Sequence, residues 1–212
     1  MIVLALDTCL AACSAAVLKD GRPLAALSEP MTRGHQERLA LMVAQVMATA
    51  GLDFAALDRI GVTVGPGSFT GLRVGLAFAK GLALALGRPC IGVGTLPALA
   101  ASSGVGGFQA AIVDAGRGHV YLQIFADGAP LMAPDSLTYA YAAARLAELY
   151  SGGPGALVGP GVHLLSGVLT SLAVIALPTA DPVAIARLAA DAAIVPPRPL
   201  YLRAPDAKPK AA

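Results

Sequence analysis

Two aspartates close equivalent apolar runs. Asp7 ends the run from Ile2 to Leu6, and Asp114 ends the run Ala110-Ala111-Ile112-Val113. Carboxylates at two strand ends facing one cleft could hold the magnesium of a bound nucleotide, or each could cap its own turn by accepting a backbone N–H. Their neighbours separate the two. Thr8-Cys9-Leu10 offers no glycine through which a phosphate could approach the backbone, which points to turn capping at Asp7. Asp114-Ala115-Gly116-Arg117-Gly118 is more permissive, so Asp114, Gly116 and Gly118 are candidates for nucleotide contact.

The segment Gly65-Pro66-Gly67-Ser68-Phe69-Thr70-Gly71-Leu72-Arg73 lies between a predicted strand and a predicted helix. Gly65 and Gly67 allow a tight turn, and Ser68 or Thr70 can cap the next helix. Free N–H groups at that helix start, with Arg73 in the first turn, could instead take an anion. The segment lacks the G-K-[ST] ending of a P-loop and the G-x-S-x-G spacing of a nucleophile elbow. The capping turn and the anion site both stand as readings of Gly65, Gly67, Ser68 and Thr70.

His35, His119 and His163 are not spaced as a helical metal pair. Cys9, Cys13 and Cys90 are odd in number and show no CxxC, so they read as core or turn residues rather than a disulfide framework or zinc knuckle. No catalytic residue and no metal ligand is assigned. A net charge of +2 is too small to imply nucleic-acid binding by charge alone.

The elements that carry these residues repeat. Asp20-Gly21 separates two apolar runs in the first half, and Asp127-Gly128 does so in the second, each a strong hairpin signal. Asp114 follows Asp7 at the same offset at which Asp127 follows Asp20, Gly128 follows Gly21, Pro130 follows Pro23 and Leu131 follows Leu24. A repeat this long is a duplicated domain rather than a solenoid unit. Helices are predicted over His35–Gly51, Thr70–Leu86, Tyr139–Tyr150 and Pro182–Ala193, with strands over Arg59–Val64, Pro89–Val93 and Ala156–Val158. Each half therefore begins βββ and continues αβα, giving an α/β protein of two lobes, residues 1–104 and 105–197, the second shorter. A Pro/Ala/Lys-rich segment, 198–212, comes last, and its final residues are expected to be disordered.

The chain has 212 residues, of which 56% are hydrophobic, and a mean hydropathy of +0.70, much of it from alanine. No stretch reaches about 18 uninterrupted apolar residues. The best candidate, Val74 to Leu86, carries Lys80 and Gly81. The first residues lack a basic n-region and cleavage site, so a cytoplasmic protein without membrane attachment is expected. On the helix from His35, the stripe of Leu39, Met42, Val43, Val46, Met47 and Ala50 is broad enough for core burial alone or for a second contact with a partner helix.

Several segments together resemble the TsaB (YeaZ) family of tRNA threonylcarbamoyladenosine biosynthesis. They are Leu4-Ala5-Leu6-Asp7-Thr8, Ala12-Cys13-Ser14-Ala15-Ala16-Val17, His35-Gln36-Glu37-Arg38-Leu39, Gly65 to Gly75 with Ala79-Lys80-Gly81, Asp114-Ala115 with Val120-Tyr121, and Pro199-Leu200-Tyr201-Leu202-Arg203. The resemblance implies a duplicated actin/Hsp70-like (ASKHA, ribonuclease H-like) fold with a shortened second lobe. It also implies a non-catalytic paralogue of TsaD, the transferase that acts on the adenosine beside the anticodon. Such a subunit is expected to pair with a TsaD-type protein, to work with the ATPase TsaE, to meet tRNA through that complex, and to form a homodimer through the same region. ATP or ADP is expected only within the complex. Pairing in the family uses first-lobe helices, which makes His35, Leu39, Met42, Val43, Val46, Met47, Thr70, Arg73, Val74 and Ala77 interface candidates. The TsaD metal is held by a helical histidine pair that this sequence lacks. The alternatives are an actin-like small-molecule kinase or ATPase, and a glycoprotease-type metallopeptidase.

Overall fold

The computed structural model describes residues 1–203. The expected disordered end of the tail, 204–212, lies outside the described residues. A five-stranded and a six-stranded sheet of the same design form the frame. In the first sheet β1 (Ile2–Asp7) is central, antiparallel to β2 (Ala12–Lys19), which is antiparallel to β3 (Arg22–Pro30). On the other side β1 is parallel to β4 (Arg59–Thr63), and β4 to β5 (Cys90–Val93), giving the order β3-β2-β1-β4-β5.

The second sheet repeats this plan. Its central β6 (Phe108–Gly116) is antiparallel to β7 (His119–Ala126), which pairs with β8 (Ala129–Pro130) and β9 (Asp135–Thr138). On its other side β6 is parallel to β10 (Gly155–Val158), and β10 to β11 (Ala173–Ile175). The duplication extends to dihedral angles. Asp20 and Asp127 have φ of 50° and 49°, and Gly21 and Gly128 have 77° and 80°. These are the two left-handed positions that the hairpin turn requires.

The helices cover the sheets unequally. In the first lobe α1 (His35–Thr49) and α2 (Phe69–Leu86) lie on one face, with Leu4, Leu6, Val17, Val62 and Leu72 in the core beneath them. The next helix, α3 (Thr95–Ser102), was not signalled by apolar periodicity, and it packs on β6 and β7 of the second sheet. The last, α5 (Pro182–Asp191), packs on β1, β2 and β4 of the first. Arg59 fixes that crossing by donating to the Ala189, Ala190 and Ala192 carbonyls at the end of α5. A lobe boundary drawn at residue 104 thus follows chain order, while α3 and α5 exchange across it. The remaining helix, α4 (Tyr139–Leu149), covers the second sheet from the other side with Ala142 and Leu146.

The shortening of the second lobe has a specific place. After β4 the chain reads Gly65-Pro66-Gly67 and enters the 18-residue α2. After β10 it reads Gly159-Pro160-Gly161, with Gly65 and Gly159 both at positive φ, 98° and 116°. There it enters only a 3-10 turn, Val162–Leu164. Among the described residues, the counterpart of α2 is missing.

Candidate functional site

The Gly-Pro-Gly-Ser-Phe-Thr-Gly segment is built for close packing. Ser68 is the N-cap of α2, accepting from the Gly71 amide at 3.2 Å, and its own N–H donates to the Cys9 carbonyl at 2.7 Å. Gly67, Gly71 and Gly75 form a stripe at i, i+4 spacing against the turn after β1. A Cβ on Gly67 or Gly71 would overlap the Cys9 or Thr8 carbonyl, and one on Gly75 would come within 2.6 Å of Thr8 Oγ1. Thr8 Oγ1 in turn donates to the Gly71 carbonyl at 2.6 Å. The glycines therefore let a helix lie directly on the end of β1.

That lid determines the state of Asp7. The side chain is fully buried, accepting from the Cys9 amide at 2.8 Å, Thr63 Oγ1 at 2.5 Å and Thr179 Oγ1 at 3.1 Å. Burial pushes its carboxyl above the usual carboxylate range, more than these hydrogen bonds and the electrostatic pull of His35 draw it down. Burial also pushes the neighbouring Cys9 thiol up to about 12, leaving it inert as a nucleophile. The capping role expected of Asp7 holds. Its hydroxyl partners Thr63 and Thr179 had no signal in the sequence, since Thr179 is reached only through the fold.

Asp114 is exposed and accepts from the Gly116 amide at 2.7 Å. Gly116 and Gly118 shape a turn with φ of 69° and 76°, and Arg203 donates to the carbonyls of Ala115 and Gly116 from the C-terminal side. Asp114 also walls a cleft of about 420 Å³ between the lobes, with Leu10, Thr32, His35, Ser68 and Tyr121 on its other sides. Gly116 and Gly118 are not part of that wall. Among the described residues, no three of His, Cys, Asp and Glu stand together as a metal-binding group.

The ten interface candidates fall into two sets. Leu39, Met42, Val43, Val46 and Met47 are each at most 1% exposed, packed into the core under α1, and His35 is 8% exposed. A side chain sealed inside its own lobe cannot reach a partner, so this stripe is corrected to core. Its width reflects a helix seated on a five-stranded sheet. Thr70, Arg73 and Ala77 are exposed on α2, and Val74 is half-buried. Beside them stand Phe69, Tyr201 and Leu84, none of them an interface candidate from the sequence, and Leu41, which widens the apolar stripe on the His35 helix. The Arg73 guanidinium lies 3.7 Å over the Phe69 ring and donates to the Tyr201 hydroxyl, and the Phe69 and Tyr201 rings are 5.5 Å apart. Leu84 on α2 is 85% exposed and Leu41 on α1 is 65% exposed. By length and mean hydropathy, 1.4, α2 could cross a membrane, yet only a third of it is buried in this fold.

The chain is similar to several known proteins. A profile of the family described as TsaD, tRNA N6-adenosine threonylcarbamoyltransferase, matches residues 28–138. The tRNA threonylcarbamoyladenosine biosynthesis protein TsaB of Escherichia coli is 40% identical over 125 residues, covering 57% of this chain and 53% of that protein. The structure of YeaZ from Pseudomonas aeruginosa superposes with a TM-score of 0.78 at 31% identity, over 95% of this chain and 99% of that one. The ethanolamine utilization protein EutJ of Carboxydothermus hydrogenoformans, at 15% identity, TM-score 0.52, and coverage of 87% and 88%, shares the actin-like fold alone. A two-lobed actin-like chain that carries the glycine-striped helix start and matches YeaZ over nearly its whole length belongs to the TsaB/YeaZ family of tRNA threonylcarbamoyladenosine biosynthesis.

Proposed function

We propose that this chain is a non-catalytic partner subunit that docks a TsaD-type transferase through the exposed faces of α1 and α2. In this reading it supports N6-threonylcarbamoyl modification of the adenosine beside the anticodon, together with a TsaE-type ATPase. The observation that carries the docking face is α2 itself, a helix of mean hydropathy 1.4 with only a third of its length buried. Apolar area of that kind is stabilised by a cover. Around Leu84 and Leu41 the exposed positions Ala40, Ala44, Ala77, Gly81 and Ala85 are small, with the longer Glu37, Gln45, Lys80 and Arg88 at the edges, so a second pair of helices can approach closely. The Phe69–Arg73–Tyr201 cluster at one end combines aromatic and guanidinium groups, the residue types that dominate binding energy at interfaces.

The TsaD profile matches residues 28–138, a range that contains both helices. Related lobes can pair through equivalent faces, as in a pseudo-twofold dimer. A second copy of this chain would use the same face, which makes the homodimer a competitor of the heterodimer rather than an addition to it. Nucleotide and tRNA contact belong to the assembled complex, in the cytoplasm, with no membrane involved. Reconstitution tests this function. With TsaD-type and TsaE-type proteins, tRNA and the threonylcarbamoyl-adenylate donor, modification should require this chain. Full modification without it would overturn the reading, as would turnover of Mg-ATP by the isolated chain, the mark of a small-molecule kinase.

A further inference from the structure

Between the first turns of α1 and α2, His35 presents an unsatisfied group. The side chain is 8% exposed, and its Nε2 is buried with no hydrogen-bond partner. A buried ring nitrogen left unpaired is costly, which makes it informative about what belongs beside it. His35 walls two adjoining cavities, the cleft of about 420 Å³ and a second of about 300 Å³, and the residues common to both are Thr32, His35 and Ser68. The start of α2 meets the cavities at the same point through Ser68 and Thr70. Among the described residues the Phe69 and Thr70 amides have no acceptor, the Gly71 amide being taken by Ser68. Arg33, also on the wall of the smaller cavity, adds a positive charge.

We propose that this junction binds a phosphate-type oxyanion, accepting hydrogen bonds from His35 Nε2, the Thr32 and Ser68 hydroxyls and the first-turn amides of α2. The amide donors and the helix dipole favour negative charge there. Donors arranged on several sides suit a tetrahedral group with oxygens in every direction better than a planar carboxylate. The larger cavity continues along Leu10, Val113 and Tyr121, which leaves room for the body of a phosphate ester. Two carboxylates oppose the site, the exposed Asp114 across the cleft and the buried Asp7 near His35, and the raised affinity of Asp7 for its proton reduces its opposition. This inference does not depend on the docking proposal, since a chain that failed to bind a TsaD-type partner could still hold the anion.

Titration of the full chain with inorganic phosphate, followed by amide and histidine-ring resonances, is the test. The Phe69 and Thr70 amides and the His35 ring should shift together and saturate at millimolar phosphate. His35→Ala should weaken binding by about tenfold or more, the loss of one hydrogen bond to a charged group. Thr32→Val, at an exposed position that does not endanger folding, should weaken it several-fold. Asp114→Asn should tighten it by about threefold through loss of a like charge. Shifts that do not saturate, or an affinity indifferent to both Thr32→Val and Asp114→Asn, would show an adventitious ion only and overturn the proposal.

Discussion

The ends of β1 and β6 are equivalent in sequence and topology, yet they are opposite in environment. Asp7 is sealed, bonded to two threonine hydroxyls and an amide, while Asp114 stands open to the cleft with one amide partner. The difference traces to the element that the Gly-Pro-Gly turn of each copy leads into. In the first, the turn opens into α2, whose Gly67–Gly71–Gly75 stripe lies on Thr8 and Cys9 and closes over the strand end. In the second, Gly159-Pro160-Gly161 opens into a 3-10 turn too short to cover anything. The helix that the second copy lacks thus keeps the first strand end as packed core. The same helix carries Phe69, Ala77, Leu84 and Ala85 outward, on the face proposed above for a partner. The buried end of β1 and the proposed docking face thus meet in a single element.

That contrast can be broken at several points, beginning with the largest effect. Met47→Asp places a charge beneath α1 in the first-lobe core and should abolish cooperative folding, a cost on the order of 5 kcal/mol that rivals the stability of a domain. Urea denaturation followed by circular dichroism would read it. If the variant folded normally, Met47 would not be core. Next, Gly71→Ala drives a Cβ into the Thr8 carbonyl and should cost about 2–3 kcal/mol. In the second copy the Cβ of Gly161→Ala would stand 2.9 Å from the Asp114 amide, a milder overlap beside a turn with no helix over it. Its cost should be roughly half as large. Equal costs would mean that the glycine stripe under α2 is not what seals the first copy.

The two aspartates give the third contrast. The folded-state value of Asp7 lies above the unfolded value of about 3.9. The folded protein therefore prefers the protonated carboxyl. Its favourable contribution is fully present below the unfolded value and is lost as pH rises through the higher folded value. Asp7→Asn keeps the shape without the charge, so its stability should decline less than that of the parent as pH rises from about 4 to neutrality. Asp114→Asn, at an exposed position, should change stability by less than about 0.5 kcal/mol. Urea midpoints across that range would reveal the difference, and identical profiles for Asp7→Asn and parent would contradict the buried state of Asp7.

Much of the frame was legible in the sequence because its signals are local. The Asp-Gly turns, the apolar runs and the helix after Ser68 each depend on neighbouring residues, and the repeated offsets joined them into a duplication. The site was harder to read. The stripe of Leu39, Met42, Val43, Val46 and Met47 has the same pattern whether it faces a sheet or a partner, and only the seating of α1 distinguishes them. The cluster of Phe69 and Arg73 with Tyr201, the bond from Thr179 to Asp7, and the crossing of α3 and α5 between sheets join residues far apart in the chain. The missing counterpart of α2 left a trace in Gly159-Pro160-Gly161, an echo of Gly65-Pro66-Gly67 that falls outside the offset of the hairpin repeat.

A direct affinity measurement between the purified proteins tests whether the outward face of α1 and α2 binds a TsaD-type partner, as proposed. The parent chain should form a one-to-one complex. Leu84→Glu and Leu41→Glu, at exposed positions and so within about 0.5 kcal/mol of parental stability, should weaken that complex by about a hundredfold or abolish it. Undiminished affinity in both folded variants, or no complex with the parent chain, would contradict the account.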